Sequence, residues 1–224
     1  MKLLLVLCMI LTSYADKTYT TVCAVDVDAP ASVSDTIISR FIHDFQTSPD
    51  ALFDWAFYGV GTQDNEEKNA FLLDYKLTEY FPERNYGRIV TDVVIPKVIR
   101  FRNITLEGRV LDSIGTLVYN PGLKADSLNM SNIPNWVRHI DIDVSYSGKL
   151  LEHGFGNLFI IPVSENKSVF MMDINLRYGW FFNIFVTMKV YKNSVEWRVN
   201  RYMNNLKSVA EQLYREMDTG QTQP

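Results

Sequence analysis

The sequence predicts one α+β domain: a curved antiparallel β-sheet, running as a meander, wrapped around a long C-terminal helix, with two short helices after the first strand. Three observations carry this. Apolar and polar residues alternate along several segments, which is the period of a half-buried strand. One apolar stripe at helical spacing runs from Val195 to Met217. Between the first strand and the meander, Pro- and Ser-bounded stretches carry helical rather than strand spacing.

The elements follow in order. Thr18–Val27 is rich in Thr and Val and reads as a strand. Asp28-Ala-Pro-Ala breaks it, and Ser34 or Asp35 can cap a helix to about Gln46. Ile38, Ile42 and Phe45 form its stripe, beside Ile37 and Phe41. Thr47-Ser48-Pro49 ends it, and Asp50–Tyr58 reads as a second short helix, followed by a polar loop over Gly59–Lys68. The period then becomes two. Phe71, Leu73, Tyr75 and Leu77 share a face in Phe71–Phe81. Ile140, Ile142, Val144 and Tyr146 share one in Trp136–Tyr146. Phe170, Met172, Ile174, Leu176 and Tyr178 do so in Phe170–Tyr178. In Trp180–Val190 every even position is apolar, so it also reads as a strand, with Gly179 permitting a tight hairpin before it. Weaker strands fit Arg88–Ile95, Val98–Leu111, Thr116–Tyr119 and Asn157–Val163. The last helix starts at Asn193 or Ser194 with Val195, Val199, Tyr202, Leu206, Val209, Leu213 and Met217 on one side, and the concave face of the sheet is its expected partner.

Met1–Ala15 has a single Lys, an apolar run from Leu3 to Leu11 and small residues at Ser13 and Ala15. That is the layout of a secretory signal peptide, with a run too short to span a bilayer. Residues 16–218 are then the folded domain and 219–224 a loose tail, in a secreted or periplasmic protein. The leader's only charge is Lys2, so the net charge of −4 becomes −5 on cleavage, which argues against nucleic acid. No later stretch has eighteen apolar residues, so no transmembrane segment is expected. Cys8 leaves with the leader, and Leu7 before it does not fit a lipoprotein cleavage site. Cys23 is then alone, so the fold rests on its core, with Cys23 a small buried hydrophobe. Asn103-Ile-Thr, Asn129-Met-Ser and Asn166-Lys-Ser are glycosylation sequons.

No catalytic or metal motif stands out, and no cofactor is expected. His139, Asp141 and Asp143 form H-x-D-x-D on one strand face, but same-face neighbours lie roughly 6.8 Å apart, too far for one ion to collect all three. Two of them with Asp173 would fit better, though their face is the one expected to meet solvent. Paired carboxylates for glycoside hydrolysis have only these same acids to draw on, and His43 and His153 stand alone.

The order strand, two helices, meander, long helix resembles the helix-grip fold of the START / Bet v 1 / polyketide cyclase-like superfamily. Val25-Asp-Val-Asp-Ala-Pro-Ala31 looks like its first strand entering the first helix, and Ser194-Val-Glu-Trp through Leu206-Lys-Ser-Val-Ala-Glu looks like its last helix. The stretches Gly59–Lys68 and Asn120–Asn135 are long for that superfamily, which is also mostly cytoplasmic. The resemblance implies a hydrophobic cavity between sheet and helix, lined by Trp180, Phe182, Ile184, Val199, Tyr202 and Leu206, holding a small lipid-like ligand. It carries over no catalytic residue. A filled core uses the same residues, so an extracytoplasmic interaction protein, and a cyclase- or hydrolase-like enzyme on this fold, stay open beside the binding protein.

Expression with residues 1–15 in a secreting host is expected to deliver a chain beginning at Asp16, read by intact mass and N-terminal sequencing. Retention of Met1 on an intracellular product would contradict the leader.

Overall fold

Thr18–Val27 forms strand β1, its odd positions turned inward and its even positions outward. In the computed structural model, residues 17–47, 72–81, 86–95, 99–146, 151–183 and 186–220 are described. The leader, the expected helix Asp50–Tyr58, the loop Gly59–Lys68 and the end of the tail lie outside them. Asp28 and Pro30 end β1, and the Pro30 carbonyl accepts the N–H groups of Val33 and Ser34 to start α1, Ala31–Thr47. Ser34 does not cap this helix. It is fully buried, and its hydroxyl meets that of Ser168, which donates to the Ala29 carbonyl, tying the helix start to the sheet.

The meander follows as β2 (Leu72–Phe81), β3 (Tyr86–Ile95), β4 (Ile99–Ile114), β5 (Arg138–Tyr146), β6 (Leu151–Ser164) and β7 (Lys167–Tyr178). These strands and β1 make one seven-stranded antiparallel sheet in the order β1-β7-β6-β5-β4-β3-β2. β6 begins well before the expected Asn157, because Gly154 and Gly156 leave gaps in its apolar alternation. Thr116–Tyr119 is no strand: the chain leaves the sheet at Gly115, where a Cβ would stand 2.3 Å from the Trp136 carbonyl oxygen.

Trp180–Val190 is not a strand either. It forms α2 (Trp180–Asn183) and α3 (Met188–Tyr191). β7 is already paired on both sides, by β1 and β6, so no place remains for a hairpin partner after Tyr178. An every-second apolar pattern also contains an every-fourth one: Phe182 and Val186 pack inward while Trp180 and Met188 stay exposed. The last helix accordingly starts earlier than expected. The Thr187 hydroxyl accepts the Val190 N–H, and α3 passes through a π-helical turn, Lys192–Glu196, into α4, Trp197–Asp218.

The inner core lies where α4 and α1 meet the sheet. Val199, Met203, Leu206 and Ala210 pack with Ile37, Ile38, Cys23, Leu158, Ile160 and Phe170. Cys23 is a buried free thiol, its pKa raised by burial. The outer face also carries a core, against the expectation of solvent. Leu123, Ala125, Leu128, Ile133 and Trp136, from the loop between β4 and β5, cover Ala24, Phe159, Ile161, Val163, Val169 and Met171. This is why β6 and β7 have runs of buried residues rather than strict alternation. A curved antiparallel sheet with a long C-terminal helix across its inner face is the helix-grip arrangement.

One ionic cluster pins α1 to the middle strands. Arg138 on β5 donates to both Asp112 oxygens on β4 (2.9 and 2.6 Å), to Asp35 (2.8 Å) and to Ser39 (2.6 Å) on α1. Burial opposes the guanidinium charge, but the bonds from Asp112 and Asp35 outweigh it and the pKa is raised. Arg138→Met is expected to cost about 2 kcal/mol in urea unfolding, since the aspartates are half-exposed and rehydrate. A loss below about 0.5 kcal/mol would mean the cluster does not hold the helix.

Candidate ligand groove

The strand register divides the inner face into rows running across the sheet. Two rows are filled: Val25, Phe170, Ile160 and Arg138 in one, and Cys23, Met172, Leu158, Ile140 and Asp112 in the next. Their apolar members over β5 and β6 are at most 5% exposed. In the third row, Thr21, Ile174, Gly156, Ile142 and Val110, the packing opens. Ile142 is 40% and Val110 36% exposed, and Ile174 is half-buried. The fourth row runs from Tyr19, 2% exposed, through half-buried Leu176, buried Gly154 and half-buried Val144 to Gly108, so cover returns toward that end.

The cause is where the helices sit. α4 packs over β1 and β7, and α1 over β6 and β7 beside it. One flank of α4 is held at the end of β1: Lys207 bonds the Asp26 carbonyl and Glu211, Glu211 accepts the Asp28 N–H (3.0 Å), and Tyr214 donates to Asn166 (3.0 Å). The opposite flank carries Val195, Tyr202 and Val209, on the side where, among the described residues, Ile142 on β5 and Val110 on β4 keep exposed inner faces. Tyr202 is packed on the core yet keeps accessible surface, and desolvation drives its phenol pKa well up. Among the described residues its hydroxyl makes no hydrogen bond.

Both ends of this groove are closed. At one end stand α1 and the Arg138 cluster. At the other is an aromatic plug of Tyr19, Tyr178, Phe182 and Tyr191 with Val186. The Tyr19 hydroxyl donates to the Val186 carbonyl (2.6 Å), and its ring lies 4.8 Å from that of Tyr191 and edge-on to Tyr178 at 5.7 Å. Tyr191 and Thr21 share a 2.6 Å hydroxyl bond. The result is an apolar trough with one free hydroxyl on its helix wall.

The residues named from sequence are spread across these parts. Val199 and Leu206 belong to the filled core, Phe182 to the plug, and Trp180, 58% exposed, lies on the outside of α2. Tyr202 stands on the groove flank, and Ile184 lies outside the described residues. The sequence missed Gly154 and Gly156 as features of the site. Their only signal was the break they make in the alternation of β6.

H-x-D-x-D does not assemble a metal site. His139 stacks on Phe159 (4.2 Å, 5° between planes) beside Trp136, and its Nε2 lies 2.9 Å from Asn157 Oδ1. Asp143 faces Arg109 at 3.6 Å. Among the described residues no group of three or more His, Cys, Asp or Glu is placed to hold a metal. Asp173, expected to be wet, is 1% exposed: Oδ2 accepts from Asn175 (2.8 Å) and more weakly from Asn157 (3.5 Å), and Oδ1 has no partner among the described residues.

Burial raises the Asp173 pKa above the ordinary carboxylate range, the two amides only partly opposing it. The fold therefore binds this proton more tightly than the unfolded chain does. The associated stability is fully present below the unfolded pKa near 3.8 and is lost as pH rises through the folded value. Asp173→Asn is expected to gain stability relative to the native chain as pH rises from about 3 to 7. A pH-independent difference in unfolding free energy would contradict this.

No protein-family model matches this chain, and no curated protein matches it. Among solved structures, it is similar to the ZhuI aromatase/cyclase from Streptomyces sp. R1128 (10% identity, 88% of this chain and 95% of that one, TM-score 0.47). It is similar to a truncated norcoclaurine synthase from Thalictrum flavum (9% identity, 88% and 94%, TM-score 0.47). It is also similar to a START superfamily protein from Mycobacterium smegmatis (11% identity, 88% and 98%, TM-score 0.40). At these identities and scores none of them assigns this chain a ligand or an activity.

Proposed function

We propose that this is a secreted or periplasmic binding protein that holds a small, lipid-like apolar ligand between the sheet and the C-terminal helix. The observation that carries the reading is the loss of cover along the inner face. Ile142 is 40% exposed on β5, where the neighbouring inner position, Ile140, is buried, and Val110 is exposed beside it on β4. Apolar surface in a concave, two-ended trough gains free energy by leaving water, at about 25 cal/mol per Å². The Tyr202 hydroxyl supplies one polar contact and so suits a ligand with a single oxygen function. The leader pattern of Met1–Ala15 supports the extracytoplasmic address. Of the six residues named from sequence, Tyr202 is the one that touches the ligand in this reading. Val199 and Leu206 support the helix that carries it.

Protein purified from a secreting host is expected to show, by native mass spectrometry, an excess mass that organic extraction removes and a lipid mixture restores. Ile142→Trp fills the trough at a position with room for a larger side chain, and should lower loading about tenfold while leaving thermal unfolding within a few degrees. A bare mass with no uptake from the mixture, or equal loading of the Trp variant, would overturn the reading.

A further inference from the structure

The three Asn-X-Ser/Thr triplets stand in different parts of the fold: Asn103 within β4, Asn129 in the loop between β4 and β5, and Asn166 in the two-residue turn between β6 and β7. The surroundings of the last two differ. Ala125 and Leu128 sink into the outer core and anchor the loop, while Asn129, Met130, Ser131 and Asn132 stay exposed above it. The Asn129 Oδ1 accepts the Ser131 N–H at 2.9 Å and the Ser131 hydroxyl at 2.5 Å. The Asn129 backbone N–H donates to Asn132 Oδ1 (2.7 Å), and Asn132 Nδ2 donates to the Ser127 carbonyl (2.8 Å). Each of these bonds spans five residues or fewer, so the turn needs little of the rest of the fold. Among the described residues the Asn129 Nδ2 makes no hydrogen bond. At Asn166 the arrangement is reversed. Its Oδ1 accepts the Tyr214 hydroxyl from α4 (3.0 Å). Ser168, the hydroxyl of that triplet, is 1% exposed and committed to Ala29 and Ser34.

We propose that Asn129 is a glycan acceptor, modified by transfer of an oligosaccharide from a polyprenyl-pyrophosphate carrier on the extracytoplasmic side of a membrane. The acceptor role rests on the extracytoplasmic address read from Met1–Ala15. An amide nitrogen is a poor nucleophile, because its lone pair is shared with the carbonyl. In the Asn129 turn, the two donors on Oδ1 draw charge toward the oxygen and make an Nδ2 proton easier to lose. In the transfer, Nδ2 forms a bond to C1 of the first sugar, and the bond between C1 and the pyrophosphate oxygen breaks. The carrier leaves as its pyrophosphate with that electron pair, and the Nδ2 proton passes to a base on the transferase. Met130 suits the middle position, where only Pro is excluded. The product fits the fold. Nδ2 keeps its second hydrogen, both bonds to Oδ1 survive, and a bulky, solvated sugar stands over the outer face, opposite the groove. The Asn129 turn is the same before and after the sheet closes. The Asn166 triplet loses its hydroxyl once β6 pairs with β7 and Ser168 is buried, so Asn129 is the fuller site of the two.

The full chain, with residues 1–15, secreted from a eukaryotic host that carries such a transferase tests this. Enzymatic deglycosylation in heavy-oxygen water leaves each formerly occupied Asn as a labelled Asp, so peptide mass spectrometry reads occupancy site by site. N-terminal sequencing of the same product reads the address separately. Asn129 should be occupied, and more fully than Asn166. Asn129→Gln should lose that glycan, Ser131→Ala should lose it although Asn129 remains, and Ser131→Thr should keep it. Both positions are exposed, so the variants should fold, which far-UV circular dichroism checks. A secreted chain that begins at Asp16 with Asn129 bare would overturn the proposal and leave the address standing. A chain retained with Met1 and no glycan would overturn both. Occupancy at Asn166 equal to or above that at Asn129, or a glycan that survives Ser131→Ala, would also overturn the proposal.

Discussion

The pairing of β1 with β7 holds the rest of the structure in place. Ten consecutive residue pairs, from Thr18 against Arg177 to Val27 against Ser168, join the first strand to the last, across most of the sequence. Both helices depend on it. α4 lies on the apolar surface these two strands make together, and its Lys207 and Glu211 are fixed to the backbone at the end of β1. α1 starts where β1 stops and is anchored to β7 through Ser34 and Ser168. Contacts this distant in sequence form only after a costly loop closure, so β1 and β7 are expected to pair late and cooperatively with the helix.

The groove follows from that placement. A helix drawn to one edge of a seven-stranded sheet cannot cover the other edge. α1 and the Arg138 cluster cover part of the remainder, and the tyrosine plug closes the far end. Among the described residues, what stays open is the stretch at Ile142 and Val110, beside Gly156, which adds no side chain to the row. On the opposite face, the β4–β5 loop buries the back of β6 and β7. This second layer packs behind the filled rows of the sheet, on the face opposite α1 and α4.

Much of the fold was legible in the sequence, because its signals are periodic and local. β1 was read to the residue, the strands of the meander were found to within a few positions except for the early start of β6 and the absent strand at Thr116–Tyr119, and the stripe of α4 was identified, though Met203 and Ala210 completed it unannounced. Trp180–Val190 was misread because alternation at two also satisfies spacing at four, and only the occupancy of both edges of β7 decides between them. The buried outer face was hidden for a related reason. His139 looks like a wet residue until Phe159 and Trp136 stack around it, and Asp173 until Asn157 and Asn175 close on it. The site was least legible: a packed core and an open trough use the same apolar residues. What separates Leu206 from Ile142 is which strands the helix covers, a property of the assembled sheet and of no local pattern.

The central proposal is that the open inner face at Ile142 and Val110 receives an apolar ligand. Methyl-labelled protein titrated with a spin-labelled fatty acid tests it most directly, through paramagnetic broadening of assigned resonances. The account predicts strong broadening at Ile142, Ile174, Leu176 and Val110, and none beyond the distance limit at Leu128, Ile161 and Val163 on the outer face. Broadening centred on the outer face, or none anywhere, would contradict it.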